Sequence, residues 1–116
     1  MGYYNELAII CEDKAYAYLK EIMNNNNIIP DQDYESDNGY IIYFESVEYN
    51  DIIPTRRDLV EAIRTLDAKE DDGYGYHLFR QGEDFDDIQQ KGNKPGYRNL
   101  ENVFFRRIVL PEKKNA

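Results

Sequence analysis

Cysteine and histidine occur once each in this 116-residue chain, as Cys11 and His77. One cysteine excludes an internal disulfide framework and a cysteine-rich zinc site, and is compatible with a reducing compartment. A zinc shell begun by one Cys and one His would need carboxylates to complete it. No segment approaches the roughly 18 consecutive apolar residues of a membrane span, and no basic n-region followed by an apolar run opens the chain. The expectation is a cytoplasmic protein. Tryptophan is absent, and so are internal repeats and recognisable linkers. The most informative absence is of positive charge: from Asp31 to Asp51 there is no Lys or Arg.

That same stretch holds seven carboxylates, Asp31, Asp33, Glu35, Asp37, Glu45, Glu48 and Asp51. Like charges packed so closely repel one another and weaken a compact state. Tyr34, Tyr40, Tyr43, Phe44 and Tyr49 are interleaved with them, residue types enriched at protein interfaces. Two further acidic groups follow, Asp67, Glu70, Asp71 and Asp72, then Glu83, Asp84, Asp86 and Asp87. Three short segments thus hold 15 of the 23 acids, against a net charge of −9. The segment from residue 88 onward is cationic, with seven bases against Glu101 and Glu112. Tight nucleic-acid binding needs net positive surface, which the whole chain lacks and a local patch at Lys91, Lys94, Arg98, Arg106 and Arg107 would have to supply.

The length suits one domain with a single core, residues 1–116, with about 111–116 as a disordered tail. A hydrophobic fraction of 41% and an aromatic fraction of 14% argue against disorder in the rest. Residues 4–11 (YNELAIIC) are apolar on both faces, as in a central strand. Ala15, Tyr18, Leu19, Ile22 and Met23 fall on one helical face, and Asn24 to Asn27 should stop that helix. Residues 28–38 read as a polar connection, and 40–49 (YIIYFESVEY) as the longest strand. A second helix follows Pro54, with Thr55 as N-cap, Asp58 three residues on, and Leu59, Ala62, Ile63 and Leu66 as its buried stripe. Strands are expected at 74–81 (YGYHLFRQ) and 102–110 (NVFFRRIVL). The stretch GEDFDDIQQKGNKPG between them reads mostly as loop, with one helical turn near Phe85–Gln89. The resulting fold is α+β: a single four-stranded sheet with two helices packed on it, in the order β-α-β-α-β-β. A crossover between the first two strands would be right-handed if they are parallel.

Each candidate centre has a plainer reading beside it. Asp31, Asp33, Glu35 and Asp37 alternate like the start of an EF-hand loop. Ser36, however, stands where the turn needs Gly, and Ile42 where a bidentate Glu should close the shell. Spacing leaves a Cys11–His77 dyad open, beside a buried structural thiol and a packed strand histidine. Gly73 and Gly75 form a G-x-G without the third glycine or the helix of a phosphate loop. Arg56 and Arg57 lie in a first helical turn, against the dipole, and Arg106–Arg107 would put one cation on each face of the last strand. No catalytic residue, metal ligand or cofactor site is assigned. The clustered acids read either as an ordinary solubilising surface or as a charge array offered to a basic groove, since duplex DNA carries one charge per about 1.7 Å of axis.

The segment 80–88, RQGEDFDDI, following an aromatic strand, resembles a stretch that recurs in small proteins of phages and mobile elements. In size, acidity, tyrosine content, lack of tryptophan and lack of catalytic motifs the chain is similar to anti-CRISPR proteins. That resemblance implies an inhibitor that works in a bacterial cytoplasm, binds a CRISPR effector nuclease and covers its DNA-binding or PAM-reading surface. The residues expected to meet such a basic partner are Asp31, Asp33, Glu35, Asp37, Glu48, Asp51, Asp71, Asp72, Glu83, Asp84, Asp86, Asp87, Tyr34 and Tyr49. No contact with nucleic acid or membrane is expected. Alternatives are an immunity protein or antitoxin capping a nuclease toxin, a small carboxylate-dependent hydrolase, and a structural subunit of a phage particle.

Overall fold

A computed structural model of the chain describes residues 5–47, 54–69, 72–82, 88–93, 102–104, 107–109 and 113. The elements are β1 (Asn5–Cys11), α1 (Asp13–Asn25), β2 (Gln32–Ser36), β3 (Gly39–Val47), α2 (Pro54–Asp67), β4 (Tyr76–Gln81), β5 (Ile88–Gly92), β6 (Asn102–Phe104) and β7 (Arg107–Val109). An antiparallel five-stranded sheet runs β2-β3-β1-β4-β5, and β6 and β7 pair separately as a hairpin.

β1 lies at the centre, as its apolar faces require. Leu7, Ile9 and Cys11 point to one side, opposite Phe44, Ile42 and Tyr40 of β3 and Arg80, Leu78 and Tyr76 of β4. Both helices cover this side. Ala15, Leu19 and Met23 of α1 and Leu59, Ala62, Ile63 and Leu66 of α2 join Leu7, Ile9, Cys11, Ile42, Phe44, Tyr76 and Leu78 in one buried core. On the opposite side Ala8, Ile10, Ile41, His77 and Phe79 are also buried.

The end of α1 shows how a run of asparagines stops a helix. Asn27 takes a left-handed φ of 56°, which Asn tolerates better than most residues. The Ile28 N–H then donates to the Met23 carbonyl at 2.8 Å, and the Asn27 N–H donates to the Asn24 carbonyl at 3.4 Å. This is a Schellman closure, and its accompanying apolar contact comes from Ile28, buried in the same core as Met23.

The structure corrects the sequence reading in four places. The sheet has five strands, gaining β2 and β5 and losing the expected strand 102–110, and β2 arises from part of the expected connection 28–38. Its register, Ser36 opposite Gly39, leaves Asp37 and Asn38 as a two-residue turn. β3 therefore returns antiparallel to β1, and no right-handed crossover arises. Residues 88–92, read as loop or helical turn, form the edge strand β5 against β4. The expected strand 102–110 is the hairpin β6–β7, with Phe104 opposite Arg107. Arg106 lies outside the described residues, so the expected pair of oppositely facing cations is not placed. Finally, α2 opens on Pro54, whose fixed φ and missing N–H suit a first helical position. Thr55 is therefore within the helix, not its cap.

Gly92 of β5 lies opposite His77 of β4. A Cβ there would lie 2.5 Å from the Tyr76 carbonyl oxygen and 2.6 Å from Nδ1 of His77. Only glycine lets these two strands approach so closely.

Candidate functional site

The acidic segment folds into the β2–β3 hairpin at one edge of the sheet. Asp33 and Glu35 alternate along β2 opposite Ile42 and Tyr40, on the side of the sheet that carries α1. Asp31 precedes the strand, and Asp37 sits in the turn at its far end. Asp31, Glu35, Asp37 and Glu45 are exposed; Asp33 and Tyr34 are partly buried.

These carboxylates do different jobs. Asp33 accepts from the Tyr16 hydroxyl at 2.6 Å and pairs with the ammonium of Lys20. Tyr16 in turn stacks on Tyr40, with ring centroids 4.2 Å apart and planes at 14°. Asp33 thus fastens α1 to the edge strand. Asp31 accepts from the Glu45 backbone N–H at 2.7 Å, and its own N–H donates to the Tyr43 carbonyl at 2.8 Å. It closes the base of the hairpin. Glu35 and Asp37 are exposed, on the strand and in its turn. The Ser36 hydroxyl, between them, donates to the Gly39 carbonyl at 2.7 Å and tightens the turn.

Tyrosine hydroxyls take up carboxylates elsewhere too. Tyr43 donates to Glu6, and Tyr76 to Asp67. Asp67 ends α2, where a negative charge opposes the dipole; Lys91 of β5 answers it at 2.9 Å. Burial and the adjacent carboxylates push the Tyr16 and Tyr43 phenols well above their ordinary range, and burial raises Tyr34. Tyr16 and Tyr43 stay neutral and donate their hydrogen bonds throughout the physiological range.

Of the other residues expected at a partner surface, Asp72 is exposed in the turn after α2. Glu48, Tyr49, Asp51, Asp71, Glu83, Asp84, Asp86 and Asp87 lie outside the described residues. So do Lys94 and Arg98 of the basic patch, and the side chains of Arg56 and Arg57.

The catalytic alternatives meet simple geometry. Cys11 pairs with Tyr76 and Ile10 with His77, so the thiol and the imidazole stand on opposite faces of the sheet. A Cys11–His77 dyad is therefore overturned by the pleat. The thiol donates to the Tyr40 carbonyl at 3.6 Å; burial, then the charge of Asp33, pushes its pKa up, the reverse of an activated nucleophile. His77 packs edge-on against Phe79 with centroids 5.3 Å apart. Gly73 and Gly75 act as a cap for α1. The Gly73 carbonyl accepts the Ala15 N–H at 2.9 Å, and the Gly75 carbonyl accepts the Glu12 N–H at 2.8 Å. Glu12 Oε1 accepts the Gly75 N–H at 2.8 Å in return. Gly73 adopts φ +94°, and a Cβ there would meet Lys14 at 2.8 Å. Among the described residues no three His, Cys, Asp or Glu side chains are grouped to hold a metal ion, and no helix is long and apolar enough to cross a membrane.

The sequence did not signal Asn93. Its amide donates to the Leu66 and Tyr74 carbonyls at 3.0 and 3.1 Å and accepts the Tyr76 N–H at 2.8 Å. One side chain thus joins the end of α2, the loop after it and the start of β4. No family model, curated protein or solved structure matches the chain.

Proposed function

We propose that this chain is a binding protein without catalytic activity, which docks its acidic surface on a basic nucleic-acid-binding protein and blocks it. The target class implied by its resemblance to anti-CRISPR proteins is a CRISPR effector nuclease. The observation that carries this reading is the β2–β3 hairpin, which gathers Asp31, Glu35, Asp37 and Glu45 as exposed carboxylates in a segment without Lys or Arg. A solubilising surface would be served by mixed charge; a local excess of carboxylates favours encounter with a cationic cleft and raises the rate of association. The antiparallel pairing of the hairpin fixes the spacing of these charges before the partner arrives, which lowers the ordering cost of binding.

The test is a competition. Purified chain is titrated into an effector nuclease carrying its guide, and target-DNA binding is followed at several salt concentrations. One-to-one inhibition is expected, weakening as the Debye length shortens from about 10 Å at 0.1 M to about 3 Å at 1 M salt. Absence of a complex at micromolar concentration, or inhibition indifferent to salt, overturns the proposal. Running the same titration with a basic nuclease toxin separates an immunity protein from an effector inhibitor.

A further inference from the structure

We infer that Asn38–Gly39, at the tip of the β2–β3 hairpin, is a self-modifying site. The asparagine converts without an enzyme to aspartyl and isoaspartyl forms, and the Ser36 hydroxyl sets the pace. The inference is independent of the partner reading above. Asn38–Gly39 is the sole Asn-Gly pair in the chain, and Gly39 has no side chain to shield its amide nitrogen. Asn38 is exposed in the turn between the strands. Other asparagines are held: the amides of Asn26 and Asn93 donate to backbone carbonyls, and Asn5 is buried. Asn24, Asn25 and Asn27 are exposed, but each is followed by a residue with a branched side chain beside the amide.

The chemistry closes a ring. Hydroxide takes the proton of the Gly39 amide, whose nitrogen attacks Cγ of Asn38; the new N–C bond forms as ammonia leaves. Water then opens the succinimide at either carbonyl, leaving a carboxylate on a normal backbone or on one lengthened by a methylene. A water is consumed, an ammonia is released, and nothing is oxidised or reduced. Ring closure needs rotation about the Asn38 Cα–C bond to bring the Gly39 nitrogen onto Cγ, and such alignment is exacting. The Ser36 hydroxyl resists that rotation. It accepts from the Asn38 N–H at 3.3 Å and donates to the Gly39 carbonyl at 2.7 Å, bracketing the bond that must turn. Ser36 is itself buried and paired with Gly39 in the ladder. The product adds negative charge beside Asp37, and its isoaspartyl form lengthens the turn that sets the Ser36–Gly39 register.

The full chain is incubated in mildly alkaline buffer, sampled over time, digested and weighed peptide by peptide. Isoaspartate is scored by enzymatic methylation of its carboxylate. The peptide holding Asn38 is expected to gain about 1 Da, the exchange of an amide NH2 for OH, with isoaspartate in the product. Peptides holding Asn26 and Asn93 are expected to stay unchanged. Ser36→Ala is expected to speed the gain by about fivefold, the equivalent of one modest hydrogen bond. Ser36→Thr keeps the hydroxyl and is expected to react at the wild-type rate. Ser36→Cys, closer in volume, replaces Ser36→Ala if that variant does not fold. No gain at Asn38, or a gain shared equally by Asn26 and Asn93, overturns the site. An unchanged rate without the hydroxyl, or an acceleration that spreads to Asn93, overturns the role given to Ser36.

Discussion

The Tyr16 hydroxyl donates to Oδ1 of Asp33 at 2.6 Å, tying the first turn of α1 to the edge strand β2. An acid that the sequence assigns to a partner surface is thereby a fastener within the fold, shared with Lys20 and braced by the Tyr16–Tyr40 stack. Tyr43–Glu6 and Tyr76–Asp67 repeat the device. Part of the tyrosine richness is thus spent on neutral donors that satisfy carboxylates in a chain short of cations.

Removing that donor should be costly. Hydrogen bonds to a charged group contribute about 1.5–3 kcal/mol; partial exposure of Asp33 places Tyr16→Phe at the low end of that range. Tyr16→Phe retains the stack on Tyr40, so the loss reports the hydroxyl. Urea unfolding of Tyr16→Phe, Asp33→Asn and the double variant checks it: additive single effects would show that the contact carries no coupling.

The raised tyrosines also set an alkaline limit. Their folded pKa values exceed the ordinary 10.0, so the folded state binds more protons than the unfolded state once pH passes that value. The stabilisation is complete below about pH 10 and falls as pH rises towards the folded pKa. Unfolding free energy measured across this window should decline, and the decline should be shallower in Tyr16→Phe/Tyr43→Phe. An equal slope in that variant would assign the alkaline loss to other groups.

The helices and the central strand were legible because periodicity alone specifies them. Leu19, Leu59 and Ile63 recur on a helical face, and Leu7 to Cys11 are apolar on both sides of a strand. β2 was not legible: its residues QDYES carry little apolar alternation, since an edge strand with acids on one side need not bury them. The β6–β7 reversal was hidden for the opposite reason, as NVFFRRIVL contains no Gly, Pro or Asn at the turn. At the candidate site, composition located the acidic hairpin but could not separate Asp33 from Glu35, two residues apart on the same side of β2. That distinction depends on Tyr16 and Lys20, which approach from α1.

Asn93 should be a stability residue of unusual weight for a half-exposed position. Asn93→Ala leaves the Tyr76 N–H and the Leu66 and Tyr74 carbonyls without this amide, at a cost of about 1–3 kcal/mol. Asn93→Asp keeps the acceptor for the Tyr76 N–H but turns negative charge on two carbonyls, and should be no better than Ala. Chemical denaturation ranks the three. A wild-type midpoint in Asn93→Ala would mean that water replaces the amide without loss.

The acids of β2 should separate into two phenotypes. Asp33→Asn removes charge from a pair already formed within the molecule, so it should lower stability by about 0.5–1.5 kcal/mol and change the association rate with a basic partner little. Glu35→Gln with Asp37→Asn alters exposed side chains, so stability should stay within about 0.5 kcal/mol of wild type. The association rate at low salt should instead fall severalfold, because long-range steering depends on net field and not on close contact. Dissociation should change less than association, and the difference between wild type and the double variant should shrink as salt rises. Stopped-flow mixing with the partner, alongside urea unfolding of each variant, measures both quantities. If Asp33→Asn slows association as much as the Glu35/Asp37 pair does, the internal ion pair is open to the partner, and the distinction between fastener and docking charge is wrong.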